Sequence, residues 1–225
     1  MKRILAAIIA AALLLSGCTS ASRPAESAPP TGTPSPSPTP VVTPTPEPEP
    51  ADDELVLVRD YIPGIFIDLK YATTDNFTGR VIYDSDEAYL RYGTVKKLLC
   101  AQNELSGRGL SLKIWDAYRP VSAQFKLWEI CPNPVYVSDP NNGYSKHSRA
   151  NTVDITLVTD TGKSIPMPSG FDDFTSLADR DYSDVSAEAA ENARLLENVM
   201  VENGFVPYSG EWWHYSDSVA YDVYG

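Results

Sequence analysis

The run "TVDITLV", residues 152–158, decides the fold. It is rich in β-branched residues, which suit an extended strand. Val153, Ile155 and Leu157 point to one side, and Asp154 and Thr156 to the other. One face can pack on a core, while the other directs a carboxylate toward a cleft. The run "LSLKIW" at 110–115 alternates in the same way through Leu110, Leu112 and Ile114, and it delivers "DAYRP" at its end. Ile65, Ile67 and Leu69 alternate with Phe66, Asp68 and Lys70 and predict another strand. The aromatic stretch "EWWHYS" at 211–216 predicts the last one.

Helical spacing fills the intervals. Val95, Leu98, Leu99, Gln102 and Leu105 form one stripe, stopped by "SGRG" at 106–109. Pro120 suits the first turn of a helix over "VSAQFKLWEIC". Ser186 is placed to cap a helix whose stripe is Ala189, Ala193, Leu196 and Met200, ended by Gly204. There is no regular βαβ alternation and no internal repeat. The expected fold is α+β: a small single domain with a central antiparallel or mixed sheet flanked by helices.

The N-terminus follows other rules. Lys2 and Arg3 precede an apolar run from Ile4 to Leu15, then "LSGC". That is the layout of a secretory signal, and the run is short for a membrane span. "LSGC" resembles the lipobox of bacterial lipoproteins, which implies cleavage after residue 17 and lipid on Cys18. Residues 18–54 are dominated by Pro, Ser and Thr and cannot bury enough surface to offset the entropy of ordering. They read as a semi-rigid spacer. The expected organisation is a signal peptide at 1–17, a lipidated linker at 18–54 and a globular domain at 55–225. It places the domain at the extracytoplasmic face of the cell membrane. Cys100 and Cys131 remain, and that compartment permits either a disulfide or two free thiols.

A formal net charge of −12 and the absence of any long basic run argue against a nucleic-acid partner. Protein partners are not readable from the sequence.

The chain has only two histidines. His147 lies in "YSKHSRANTVD", seven residues before Asp154, and His214 in "YSGEWWHYSD", three after Glu211. Two imidazoles and a carboxylate with a fourth position open form a catalytic zinc arrangement. Zinc suits that donor set and needs no redox partner. Taken singly, each of the three has a bland reading as a surface loop or strand residue; the joint pattern is what points to a metal. Glu211 is the candidate base, close to the metal without ligating it. In a regular strand, residues three apart face opposite ways. Glu211 is therefore expected on the turn before the strand or beside a bulge, and Gly210 permits the bend. Trp212 and Trp213 read as core and cleft wall.

"SKHSRANTVD" resembles the pattern Ser-x-His-x-x-Gly-x-x-x-Asp, and "EWWH" resembles Glu-x-x-His. Together they resemble the zinc D-alanyl-D-alanine dipeptidases of the vancomycin-resistance type, relatives of the D,D-carboxypeptidases. "KYATTDNFTG" at 70–79 and "WDAYRP" at 115–120 resemble two further segments of the dipeptidase branch. The resemblance implies that His147, Asp154 and His214 hold one Zn²⁺. It implies that Glu211 takes a proton from the attacking water and passes it to the leaving amine. It also implies that Arg119 stabilises the oxyanion, that Ser145 helps bind the terminal carboxylate, and that Asp172 meets the free ammonium with Tyr71 lining the same end. The substrate implied is a small dipeptide, whose two charged ends reward charge-assisted contacts at both. Ala150 stands where the pattern has Gly; if that position needs positive φ, Asn151 could take over the turn. Two other functions fit the same motifs: a D,D-carboxypeptidase trimming peptidoglycan stems, and a catalytically silent wall-peptide-binding lipoprotein.

Overall fold

The computed structural model describes residues 48–225. Cys18, the apolar leader and most of the Pro-rich segment lie outside the described residues.

A five-stranded mixed sheet organises the domain. In chain order its strands are β2 (Phe66–Ile67), β4 (Leu110–Asp116), β5 (Thr152–Thr159), β6 (Phe205–Tyr208) and β7 (Glu211–Asp217), arranged β2-β4-β5-β7-β6. Only β2–β4 is parallel; the other neighbours are antiparallel. A small second sheet, unforeseen in the sequence, pairs β1 (Leu55–Leu57) with β3 (Tyr89–Arg91). The helices are α1 (Val58–Tyr61), α2 (Tyr92–Ser106), α3 (Val121–Ile130) and α4 (Ala187–Glu202). Among the described residues no helix is long and apolar enough to cross a membrane.

The core lies where the stripes meet the sheet. α2 packs on β4, and α4 packs on β5, β6, β7 and α2. Leu98, Ala101 and Leu105 from α2, and Ala193, Leu196 and Met200 from α4, are buried with Leu112, Ile114, Val153, Ile155 and Leu157. Burying each Leu, Ile, Val or Met among them contributes roughly 1.5–3 kcal/mol. α4 starts as expected, with Ser186 Oγ accepting from the Ala189 N–H, and it is followed by Gly204 at φ +86°.

Three local expectations change. The strand expected over 65–69 shrinks to Phe66–Ile67, because after Asp68 donates its N–H to Ile114 O the chain turns into a 3₁₀ segment at Lys70–Ala72. Pro120 is the N-cap of α3 and not its first residue; its ψ of 144° is extended, and its carbonyl accepts from Ala123 and Gln124. The polar face of β5 is covered as fully as the apolar one. Cys100 and Cys131 are free thiols.

The β6–β7 hairpin resolves the spacing problem at Glu211. Tyr208 pairs with Glu211 across Ser209-Gly210, whereas Pro207 pairs with Tyr215. Trp212, Trp213 and His214 therefore have no counterparts on β6. This three-residue bulge turns the strand enough for Glu211 and His214 to share a side.

Candidate active site

The sheet itself presents two of the three proposed ligands. Asp154 on β5 sits directly opposite His214 on β7, and cross-strand partners share a face. His214 Nδ1 is 2.9 Å from Asp154 Oδ1. The third comes from the 3₁₀ turn Lys146–Arg149, capped by Ser145, whose Oγ accepts from the His147 N–H. His147 Nε2 lies 3.3 Å from Asp154 Oδ2 and 3.4 Å from His214 Nδ1. One ligand atom from each residue falls within 4.8 Å of the others; His147 and Asp154 are buried, and His214 is partly open to the cavity.

The donor set fits a divalent metal. His147 Nδ1 donates to Ala117 O at 2.9 Å, so its Nε2 presents a lone pair toward Asp154 and His214. Burial disfavours a charge on His147, but Asp154 and Asp116 beside it outweigh this and raise its pKa. Burial lowers that of His214. Burial opposes a charged Asp154 too, yet the two imidazoles hold its carboxyl below the usual range. A buried carboxylate between two inward-facing imidazole nitrogens is a site for a cation.

Glu211 stands beside the triad without joining it. Its Oε2 is 3.5 Å from His214 Nδ1, and its side chain is a third exposed. Desolvation, then the charges of Asp154 and Asp172, push its pKa up to about 8. A dication on the neighbouring donors would draw that value back down, since its charge outweighs that of Asp154.

Arg119 is held at the end of β4. Its Nε and Nη2 donate to Asp116 Oδ2 at 3.2 and 2.6 Å, and Nη1 to Gln124 Oε1 at 2.9 Å. These three bonds, an ion pair among them, leave two of the five guanidinium N–H groups for a substrate. Burial disfavours the charge, and Asp116 more than restores it. Asp116 was missed in the sequence although it lies inside "WDAYRP". It holds Arg119, accepts from the buried Tyr83 hydroxyl and lies 3.5 Å from His147 Nδ1. No local signal marked it, for β4 already carries Ser111 and Lys113 among its apolar residues.

Of the other expected residues, Asp172 and Tyr71 pair beside Arg119, and Ser145 lines a cavity with Glu211 and His214. Asp172 accepts from the Tyr71 hydroxyl at 2.7 Å, and the Arg119 guanidinium lies 5.0 Å from the Tyr71 ring centre. No ion pair holds Asp172 among the described residues, and desolvation pushes its pKa up to about 7. Ser145, Lys146, Tyr208, Glu211 and His214 line a cavity of about 280 Å³, closed on one side by Val135 and Tyr136. Tyr136 stacks on Phe174 at 4.5 Å between ring centres, so two loops meet above the site. Trp212 packs on Trp115 and donates its Nε1 hydrogen to Ser169 Oγ; it and Trp213 are both core, and neither is the cleft wall expected of the pair. Ala150 itself takes the left-handed conformation, at φ 58°, and Asn151 does not replace it.

Residues 51–222 match the family model described as D-ala-D-ala dipeptidase. A D-alanyl-D-alanine dipeptidase of Escherichia coli K12 is 39% identical over 162 residues, which span 72% of this chain and 83% of that one. One from Enterococcus faecium is 35% identical, covering 69% of this chain and 87% of its own. One from Streptomyces coelicolor is 35% identical, covering 72% and 91%. With a family match across most of its length and relatives covered almost end to end, this chain belongs to the D-Ala-D-Ala dipeptidase family of metallopeptidases.

Proposed function

We propose that the protein hydrolyses the D-alanyl-D-alanine dipeptide to free D-alanine, with one zinc ion, at the outer face of the membrane to which lipid on Cys18 ties it. The observation that carries the dipeptide is Asp172. A carboxylate pushed up to about 7 by desolvation, bonded only to a neutral phenol and lacking an ion pair among the described residues, is a site waiting for a cation. A free α-ammonium supplies that cation; a blocked or extended amino end does not. Charge-assisted contact there selects dipeptides over longer chains.

His147, Asp154 and His214 would hold the zinc. Bound there, zinc supplies Lewis-acid polarisation of the scissile carbonyl and a lowered pKa for water. Glu211 accepts the proton of the attacking water and hands it to the leaving amine. The free N–H groups of Arg119, fixed in advance by Asp116 and Gln124, donate to the developing oxyanion, a contribution typically worth ~10²–10³ in rate. The Ser145 oxygen accepts from His147 N–H, which leaves its own hydrogen to donate to the substrate carboxylate. Tyr71 orients Asp172.

The test is amino-acid release from a panel of D,D-, L,D- and L,L-dipeptides and a pentapeptide stem, with added zinc. Turnover of D-Ala-D-Ala well above that of the stem is expected. Release of D-alanine from the stem alone would make the protein a D,D-carboxypeptidase, and binding without release a silent receptor.

A further inference from the structure

The turn that carries His147 is tied down from behind, mostly by parts of the chain with no place in the chemistry. Every backbone carbonyl from His147 to Asn151 has a donor. His147 O accepts from the Arg119 and Ala150 N–H groups, Ser148 O from Tyr224 N–H, and Arg149 O from Arg91 Nε. Ala150 O accepts from Arg91 N–H, and Asn151 O from Asp217 N–H. The C-terminal segment Val219–Gly225 is stitched back in return. Asn151 donates to Val219 O at 2.9 Å, Arg149 to Tyr221 O at 2.7 Å, Arg91 to Asp222 O at 2.9 Å and Tyr118 to Tyr224 O at 3.0 Å.

Arg91 is the centre of this network. It is 8% exposed and has no carboxylate partner among the described residues. Its guanidinium donates to three carbonyls, those of Asp53, Arg149 and Asp222, and lies 5.4 and 4.8 Å from the ring centres of Tyr221 and Tyr224. A buried cation satisfied only by backbone and aromatic faces fixes geometry more than it neutralises charge. The segment it fixes is strained: Ala150 is fully buried at φ 58°, ψ 29°. A left-handed Ala persists only where its surroundings over-determine it. Tyr224 also packs edge-on against Tyr118, next to Arg119 in sequence, so the same tail braces both catalytic segments.

We propose that Arg91 and the tail Val219–Gly225 form a strap that holds the His147 turn in its strained, metal-ready form, and that they set the protein's affinity for the metal. Both are positioning elements, since neither touches the three ligand side chains. The inference rests on the zinc assignment above. Outer supports of metal ligands typically contribute ~10–100-fold to affinity.

The test uses the full chain carrying Arg91→Lys or Tyr224→Ala, with Val199→Ala in α4 as a control of similar thermal destabilisation. Zinc dissociation constants come from chelator competition, and amide exchange is followed at Ser148 and Ala150, which donate to Ser145 O and His147 O. Both strap variants should weaken zinc by about tenfold or more while the control holds it like the wild type. Arg91→Lys keeps the charge and loses the fork, so a loss there separates geometry from electrostatics. Strap variants that melt earlier yet bind zinc as tightly as the control would overturn the proposal. If the wild type takes up no zinc, the zinc assignment fails instead. The strap then stands on faster Ser148 and Ala150 exchange in the strap variants alone, and is overturned by equal exchange.

Discussion

Glu211 and His214 stand on one side of β7, with Oε2 of the first 3.5 Å from Nδ1 of the second, although three positions of a regular strand would part them. The bulge opposite Pro207 and Tyr208 brings them together. A carboxylate so placed is near enough to move protons and is outside the ligand triad. Glu211→Gln keeps the shape and removes the base. It should retain zinc and leave KM little changed, while kcat falls by ~10²–10⁴. Metal content and steady-state kinetics of that variant decide: lost zinc makes Glu211 a ligand, and unchanged kcat makes it a bystander.

Removal of a ligand should act differently. His147→Ala or His214→Ala should abolish both zinc retention and hydrolysis, because three protein donors are the fewest that hold a catalytic zinc firmly. Metal analysis of the purified variants reads this directly. One zinc per chain in the wild type and full zinc in either variant would contradict the triad.

Asp172 couples binding to stability. Its folded-state pKa, raised to about 7, exceeds the ordinary carboxylate value. The folded protein therefore holds an extra proton between about pH 4 and 7, and stability falls as pH rises through that window. Asp172→Asn removes the penalty, and Asn tolerates the φ of +53° found there. In metal-free protein the variant should match the wild type near pH 4. At pH 8 it should melt on the order of a few degrees higher. It should also lose dipeptide affinity. In the wild type, kcat/KM should climb as pH rises through about 7, as the carboxylate becomes able to meet the ammonium. Melting curves at the two pH values and a pH–rate profile check both signs.

The proposed lipid on Cys18 makes a fractionation prediction. Cys18→Ser should move the protein from the membrane to the soluble fraction, since stable anchoring takes two or more lipid chains. A substituted protein that stays with the membrane would point to another anchor.

The convergence of His147, Asp154 and His214 was legible in the sequence because the chain holds only two histidines and each lies in a short motif beside a carboxylate. β4, β5 and α4 were legible because their apolar periodicity is long. β1 and β3 were not, for three-residue strands carry no periodicity. Asp116 and Arg91 were hidden for another reason. Their importance lies in partners 31 to 131 residues away, such as His147 and Asp222, and no local pattern announces a buried charge that will be matched across the fold. Arg119 shows the mixture: its oxyanion role came from resemblance, whereas its hold on Asp116 and Gln124 emerged only in three dimensions.

The proposed ligands and the proposed substrate cap stand on different kinds of support. Asp154 and His214 belong to adjacent strands at the middle of the sheet, while Asp172 and Tyr71 come from a loop and a short turn at its margin. On the proposed function, the reactive centre and the gatekeeper are thus separable modules. Substituting or lengthening the margin can retune which peptide enters, and the frame that activates water need not change. A lineage carrying this domain could drift from one wall fragment to another by altering a handful of loop positions, with the chemistry inherited intact.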